Sequence, residues 1–89
     1  MAIYPLTELG YVAKEFISRH IITFVQLGEN VTAATGIEIK KNTFQHARRS
    51  DRGLEVLRNT VMDYMREQDP ELVERSLETY KEQYQQRGA

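Results

Sequence analysis

The sequence predicts an all-α fold: a small helical bundle with a long N-terminal helix, a C-terminal antiparallel αα-hairpin, and a short irregular or helical segment between them. Three observations lead there. Apolar residues recur at helical spacing without a phase break from Leu6 to Val25. A second stripe, Leu54, Leu57, Val61, Tyr64 and Met65, repeats that period and ends at Gln68. Asp69-Pro70-Glu71 then reads as a helix start, with an N-cap, a proline in the first helical position and a carboxylate at the positive end of the helix dipole.

The first helix is expected over about Pro5 to Leu27, with Pro5 at its first position and Gly28 at C′. Its apolar face carries Leu9, Val12, Phe16, Ile17, His20, Ile21 and Phe24, and Glu8, Lys14, Glu15 and Arg19 fill the wet side. The alternative is an α+β fold with a small hairpin in 21–40, because Ile21 to Val25 is β-branched and aromatic and could pair with Val31–Thr35 or Ile37–Ile39. In residues 28–41, Asn30 is the expected cap of a short helical turn that Gly36 stops, and Ile37-Glu38-Ile39 alternates as an extended segment does. Asn42 or Thr43 is expected to cap the next helical segment, and Ser50 or Asp51 the one after it. Pro70 forces a break after Gln68, and two helices joined by so short a turn should fold back on each other. In the last helix Val73, Leu77, Tyr80 and Tyr84 form a narrow apolar seam, closed by Gly88.

Eighty-nine residues make a single helical domain, residues 1–89, near the small end of what one core supports. A surplus of apolar stripes in so short a chain favours pairing with a second copy, with Val73, Leu77, Tyr80 and Tyr84 as the expected partner or dimer interface. Charged residues are 28% of the chain and apolar ones 40%, a globular rather than a disordered balance. The absence of cysteine excludes a disulfide scaffold, a thiolate metal site and a cysteine nucleophile. The longest apolar run, Ile21-Ile22-Thr23-Phe24-Val25, falls far short of the roughly 20 residues of a membrane span. With no leader pattern at the amino terminus, a cytoplasmic protein is expected.

Charge is uneven although the net value is −1. Lys40, Lys41, Arg48, Arg49, Arg52 and Arg58 face only Asp51 and Glu55 in residues 40–58, whereas the flanking segments are acidic. The stretch Ala33-Ala34-Thr35-Gly36-Ile37 through Lys41-Asn42-Thr43-Phe44-Gln45-His46-Ala47-Arg48-Arg49 resembles, in outline, a helix-turn-helix: a short alanine-rich helix, a glycine turn, then a polar and basic second helix. It departs from that pattern by about two extra residues in the turn. The resemblance implies a surface of Lys40, Lys41, Asn42, Gln45, Arg48, Arg49 and Arg52 suited to phosphates and base edges. Against it stand the slightly negative net charge and a plainer role, in which this basic face pairs with Asp51, Glu55 and the acidic C-terminal helix.

That helix carries Glu67, Glu71, Glu74, Glu78 and Glu82 at spacings of three and four, the pattern of a solvated face. His20 on the apolar stripe is expected to be a core or interface histidine with a satisfied nitrogen, and His46 lies in the basic segment. Two histidines without a ligand spacing give no metal site. No phosphate loop, nucleophile elbow or paired carboxylate suggests catalysis, and no cofactor or small-molecule substrate is indicated. The chain is therefore expected to be a non-enzymatic, protein-binding adaptor or regulator that acts through helical surfaces, as a homodimer. The alternative is a DNA-binding regulator that uses the basic 40–52 segment.

Overall fold

The computed structural model describes residues 7–49 and 54–85, with 84 and 85 by backbone alone. Its helices are α1 (Glu8–His20), α2 (Phe24–Thr35), α3 (Lys41–Arg49), α4 (Glu55–Gln68) and α5 (Pro70–Tyr80), the last widening into a π-helical turn over Lys81–Gln85. The fold is all-α, and the described residues contain no strand, so the small hairpin expected as an alternative in 21–40 is absent. No helix among them is long and apolar enough to cross a membrane.

Helix α1 is the centre of the molecule and packs against each of the other four. It contributes Leu9, Val12, Ala13 and Phe16 to one core, joined by Leu27 and Val31 of α2, Phe44 and Ala47 of α3, Val61 and Met65 of α4, and Leu72 and Val73 of α5. Helices α1 to α4 supply apolar residues three or four apart, the spacing that keeps them on one face; α5 supplies the adjacent pair Leu72 and Val73, with half-buried Leu77 four residues after Val73.

The single long N-terminal helix expected over Pro5 to Leu27 is corrected to two helices. Ile21 adopts a left-handed conformation (φ 55°), and its N–H together with that of Ile22 reaches the Ile17 carbonyl. Thr23 then opens α2 with a capping box: its hydroxyl accepts from the Gln26 N–H at 3.1 Å, and its own N–H donates to the Gln26 side chain at 2.8 Å. Two satisfied helix ends within three residues replace the backbone bonds of a continuous rod. The bend also brings Leu27 and Val31 back onto α1; a straight helix rising 1.5 Å per residue would carry them away from it.

Three smaller expectations change with this one. Gly28 is not a helix terminus but a buried residue inside α2. Asn30 lies in the α2 interior rather than capping a short turn. Asn42 and Thr43 lie inside α3, whose first turn is closed by the Phe44 N–H donating to the Lys40 carbonyl. Gly36 does stop the second helix, at φ 78°, where its N–H donates to the Thr32 carbonyl and a side chain would be strained.

The C-terminal elements follow the sequence closely. Val61 and Met65 are buried, and Leu54, Leu57 and Tyr64 are half-buried beside them. Asp69 caps α5 by accepting from the Leu72 N–H, with Pro70 in the first turn. Its second oxygen meets Arg19 Nε at 3.2 Å and His20 Nε2 at 3.1 Å, tying the end of α1 to the junction of α4 and α5. Arg66 and Glu74 form an exposed ion pair between α4 and α5, of small energetic weight. Helix α4 begins after Leu54 without a side-chain cap. The expected cap at Ser50 or Asp51, together with Pro5, Arg52 and Gly88, lies outside the described residues.

Candidate functional site

Helix α3 is short, polar and held from beneath. Phe44 and Ala47, three residues apart, are sunk into the core, with Thr43 and Arg48 half-buried beside them. Lys41, Asn42, Gln45, His46 and Arg49 are all exposed, and Lys40 precedes them at the helix start. The sequence-predicted residues Lys40, Lys41, Asn42, Gln45 and Arg49 are thus brought to one outward surface.

Three local devices fix this helix. At its C-terminus, the Thr7 N–H donates to the Arg48 carbonyl and the Thr7 hydroxyl to the Ala47 carbonyl, each at 2.8 Å. The same hydroxyl accepts from the Gly10 N–H and so caps α1. The start of α1 therefore fills the open carbonyls at the end of α3, and the opposed helix ends attract. Such an approach needs Gly10, because a Cβ there would collide with the Arg48 carbonyl oxygen. At the other end, the connector after Gly36 is pinned by the Ile39 N–H donating to the Thr32 hydroxyl at 2.9 Å, while the Ile39 side chain covers Gly28. Between these anchors, Phe24 and Phe44 meet edge to face at 6.1 Å.

Arg48 departs from its expected role in recognition. Its guanidinium carbon sits 3.7 Å from the centre of the Phe24 ring and 5.4 Å from that of Phe44, a packing contact that joins α2 to α3. Its Nε is buried and has no hydrogen-bond partner among the described residues. Burial, and then the neighbouring Arg49 charge, hold its pKa below the ordinary arginine value. The signal was in the sequence: Arg48 stands four residues after Phe44, on the same side of the helix, whereas Arg49 does not.

The electrostatic setting of α3 is one-sided. The helix contains no acidic residue. Among the described residues, none of Lys40, Lys41 and Arg49 makes an ion pair, whereas Arg19, His20 and Arg66 do. Helices α3 and α5 both pack on α1 but not on each other. Of the expected pairing of the basic segment with Asp51, Glu55 and the acidic C-terminal helix, neither Glu55 nor that helix makes an ion pair with Lys40, Lys41 or Arg49 among the described residues, and Asp51 lies outside them. Glu67 lies near the end of α4 rather than on the C-terminal helix; it and Glu71, Glu74, Glu78 and Glu82 are all exposed.

The fold takes up one residue of the other expected interface and leaves two half-exposed. Val73 is fully buried in the core and offers nothing to a partner; Leu77 is half-buried against that core. Tyr80 is half-buried with its ring 5.9 Å from that of Tyr11. The Tyr84 side chain lies outside the described residues. His20 has its expected hydrogen-bond partner, in Asp69, but is exposed at the surface and stacked on Phe16 at 4.1 Å.

A feature the sequence did not single out is a groove of about 410 Å³ beside the start of α3, lined by Ile37, Glu38, Ile39, Leu54, Glu55, Val56 and Leu57. Ile37 and Val56 at its margin are 44% and 72% exposed, more than buried packing residues would be. No protein-family model, curated protein or solved structure matches this chain.

Proposed function

We propose that this protein is a non-enzymatic, cytoplasmic binding module that engages nucleic acid through the outward face of α3. The observation that carries the proposal is the set of exposed cations, Lys40, Lys41 and Arg49, interleaved with Asn42 and Gln45 and left without acidic partners among the described residues. Cations of this kind neutralise backbone phosphates, and side-chain amides hydrogen-bond to base edges. The order α2, glycine turn, α3, with α1 packed behind both, supplies a rigid mount for such a face.

Fluorescence anisotropy of a labelled mixed-sequence duplex tests this, at about 50 mM and about 200 mM salt. With three phosphate-facing cations per chain, log K should fall against log salt with a slope near −3, about 0.9 per contact. Reversing two exposed charges, Lys41→Glu with Arg49→Glu, should weaken low-salt binding roughly tenfold or more while the helical circular dichroism stays unchanged. Absence of binding at low salt to duplex DNA, single-stranded DNA and double-stranded RNA alike would remove the proposal.

The groove at Ile37 and Val56 favours a second proposal, a protein-binding adaptor or regulator that forms a homodimer. Exposed aliphatic side chains beside an apolar groove gain stability when a second copy covers them.

A further inference from the structure

Resting on the nucleic-acid proposal, we infer that the ligand is double-stranded DNA, with α3 lying in the major groove and Asn42 and Gln45 as the residues that determine sequence. Asn42, Gln45, His46 and Arg49 are spaced i, i+3, i+4 and i+7, so they form a single stripe, and all four are exposed. An α-helix with its side chains is about 10–12 Å across, which fits the roughly 12 Å width of a B-form major groove. The side-chain amides of that stripe, Asn42 at its start and Gln45 near its middle, match the donor and acceptor pair of adenine, and Arg49 matches guanine. Lys40 and Lys41, at the start of the helix, are placed for the flanking phosphates.

Two other nucleic acids fit less well. Binding of single strands relies on exposed aromatic rings for base stacking. On this face Phe44 is only 3% exposed, and the half-buried Phe24 ring is covered by the Arg48 guanidinium. Double-stranded RNA has a major groove too deep and narrow for side chains to read, so a stripe of amides would find no base edges there.

The test uses the full chain and a duplex library with a randomised centre, selected over several rounds at low salt and sequenced. Single-stranded DNA and double-stranded RNA of equal length are titrated in parallel. Duplex DNA should bind tightest, and a short motif containing a fixed adenine should be enriched. Asn42→Ala with Gln45→Ala, both at exposed positions, should abolish the enrichment and cut the preference for the selected over the mixed sequence by about 10- to 100-fold, while affinity for mixed sequence changes little. Tighter binding to single strands or to RNA overturns the inference but leaves the nucleic-acid proposal standing. So does the lack of an enriched motif, or an enrichment that survives in the double variant. Failure to bind any of the three nucleic acids removes both.

Discussion

Gly10 and Gly28 are both buried and both inside helices, yet their surroundings predict opposite responses to a methyl group. At Gly10 the new Cβ collides with backbone, the Arg48 carbonyl, and backbone cannot rotate away. Gly10→Ala should therefore destabilise the fold by about 1–3 kcal/mol and loosen the Thr7 bonds that seat α3. At Gly28 the nearest atoms are side-chain carbons of Ile39 and Phe44 at 3.4 and 3.5 Å, ordinary contact distances. Gly28→Ala should stabilise by about 0.5–1 kcal/mol through helix propensity. Urea denaturation of the two variants measures both signs, and equal effects would contradict the packing described. Ile21 gives a third case, a β-branched residue at φ 55° and 90% exposed. The left-handed region costs such a residue about 1–2 kcal/mol, and so little of it is buried that nothing offsets the strain. Ile21→Gly should raise the unfolding free energy by about 1 kcal/mol, read as a higher urea midpoint.

At the scale of elements, what was legible depended on whether the determinants were local. Asp69-Pro70 and Gly36 act within one turn of themselves, so the α5 start and the α2 stop could be read directly. The stripes of α4 and α5 were legible for the same reason. The break at Ile21 was hidden because the apolar period runs through it unchanged, although Thr23-x-x-Gln26 is a capping-box signal. Thr23→Ala should cost about 1 kcal/mol and expose the α1–α2 corner to faster amide exchange. If the helix ran on as one rod, the substitution would be neutral or stabilising. The seating of α3 was illegible for a different reason: Thr7 meets a carbonyl 40 residues away, and no sequence spacing announces that contact. Of the candidate site, the outward residues of α3 were legible. The inward turn of Arg48 follows from its spacing to Phe44, whereas the burial of Val73 in the core needs the tertiary arrangement.

For the molecule as a whole, α1 separates a basic surface from an acidic one. Helix α3 packs on α1, α5 packs on α1, and the two outer helices do not meet. Charges on α3 and α5 that do not neutralise each other remain available to other molecules, at long range when salt is low. The apolar groove at Ile37 and Val56 adds a separate route to self-association. Sedimentation at increasing protein concentration should show dimer formation that Val56→Asp abolishes. An aspartate in the first turn of α4 suits the helix dipole, so the variant should remain folded. A variant that dimerises as the parent does would exclude the groove as the interface.

The proposed binding face of α3 is best examined by mapping backbone amide chemical shifts during titration with a short DNA duplex. Perturbations should be concentrated at Lys40, Lys41, Asn42, Gln45, His46 and Arg49 and weaken as salt rises, with α5 unmoved. A spectrum unchanged at saturating duplex, or shifts centred on α5 or on the Ile37–Val56 groove, would contradict the proposal.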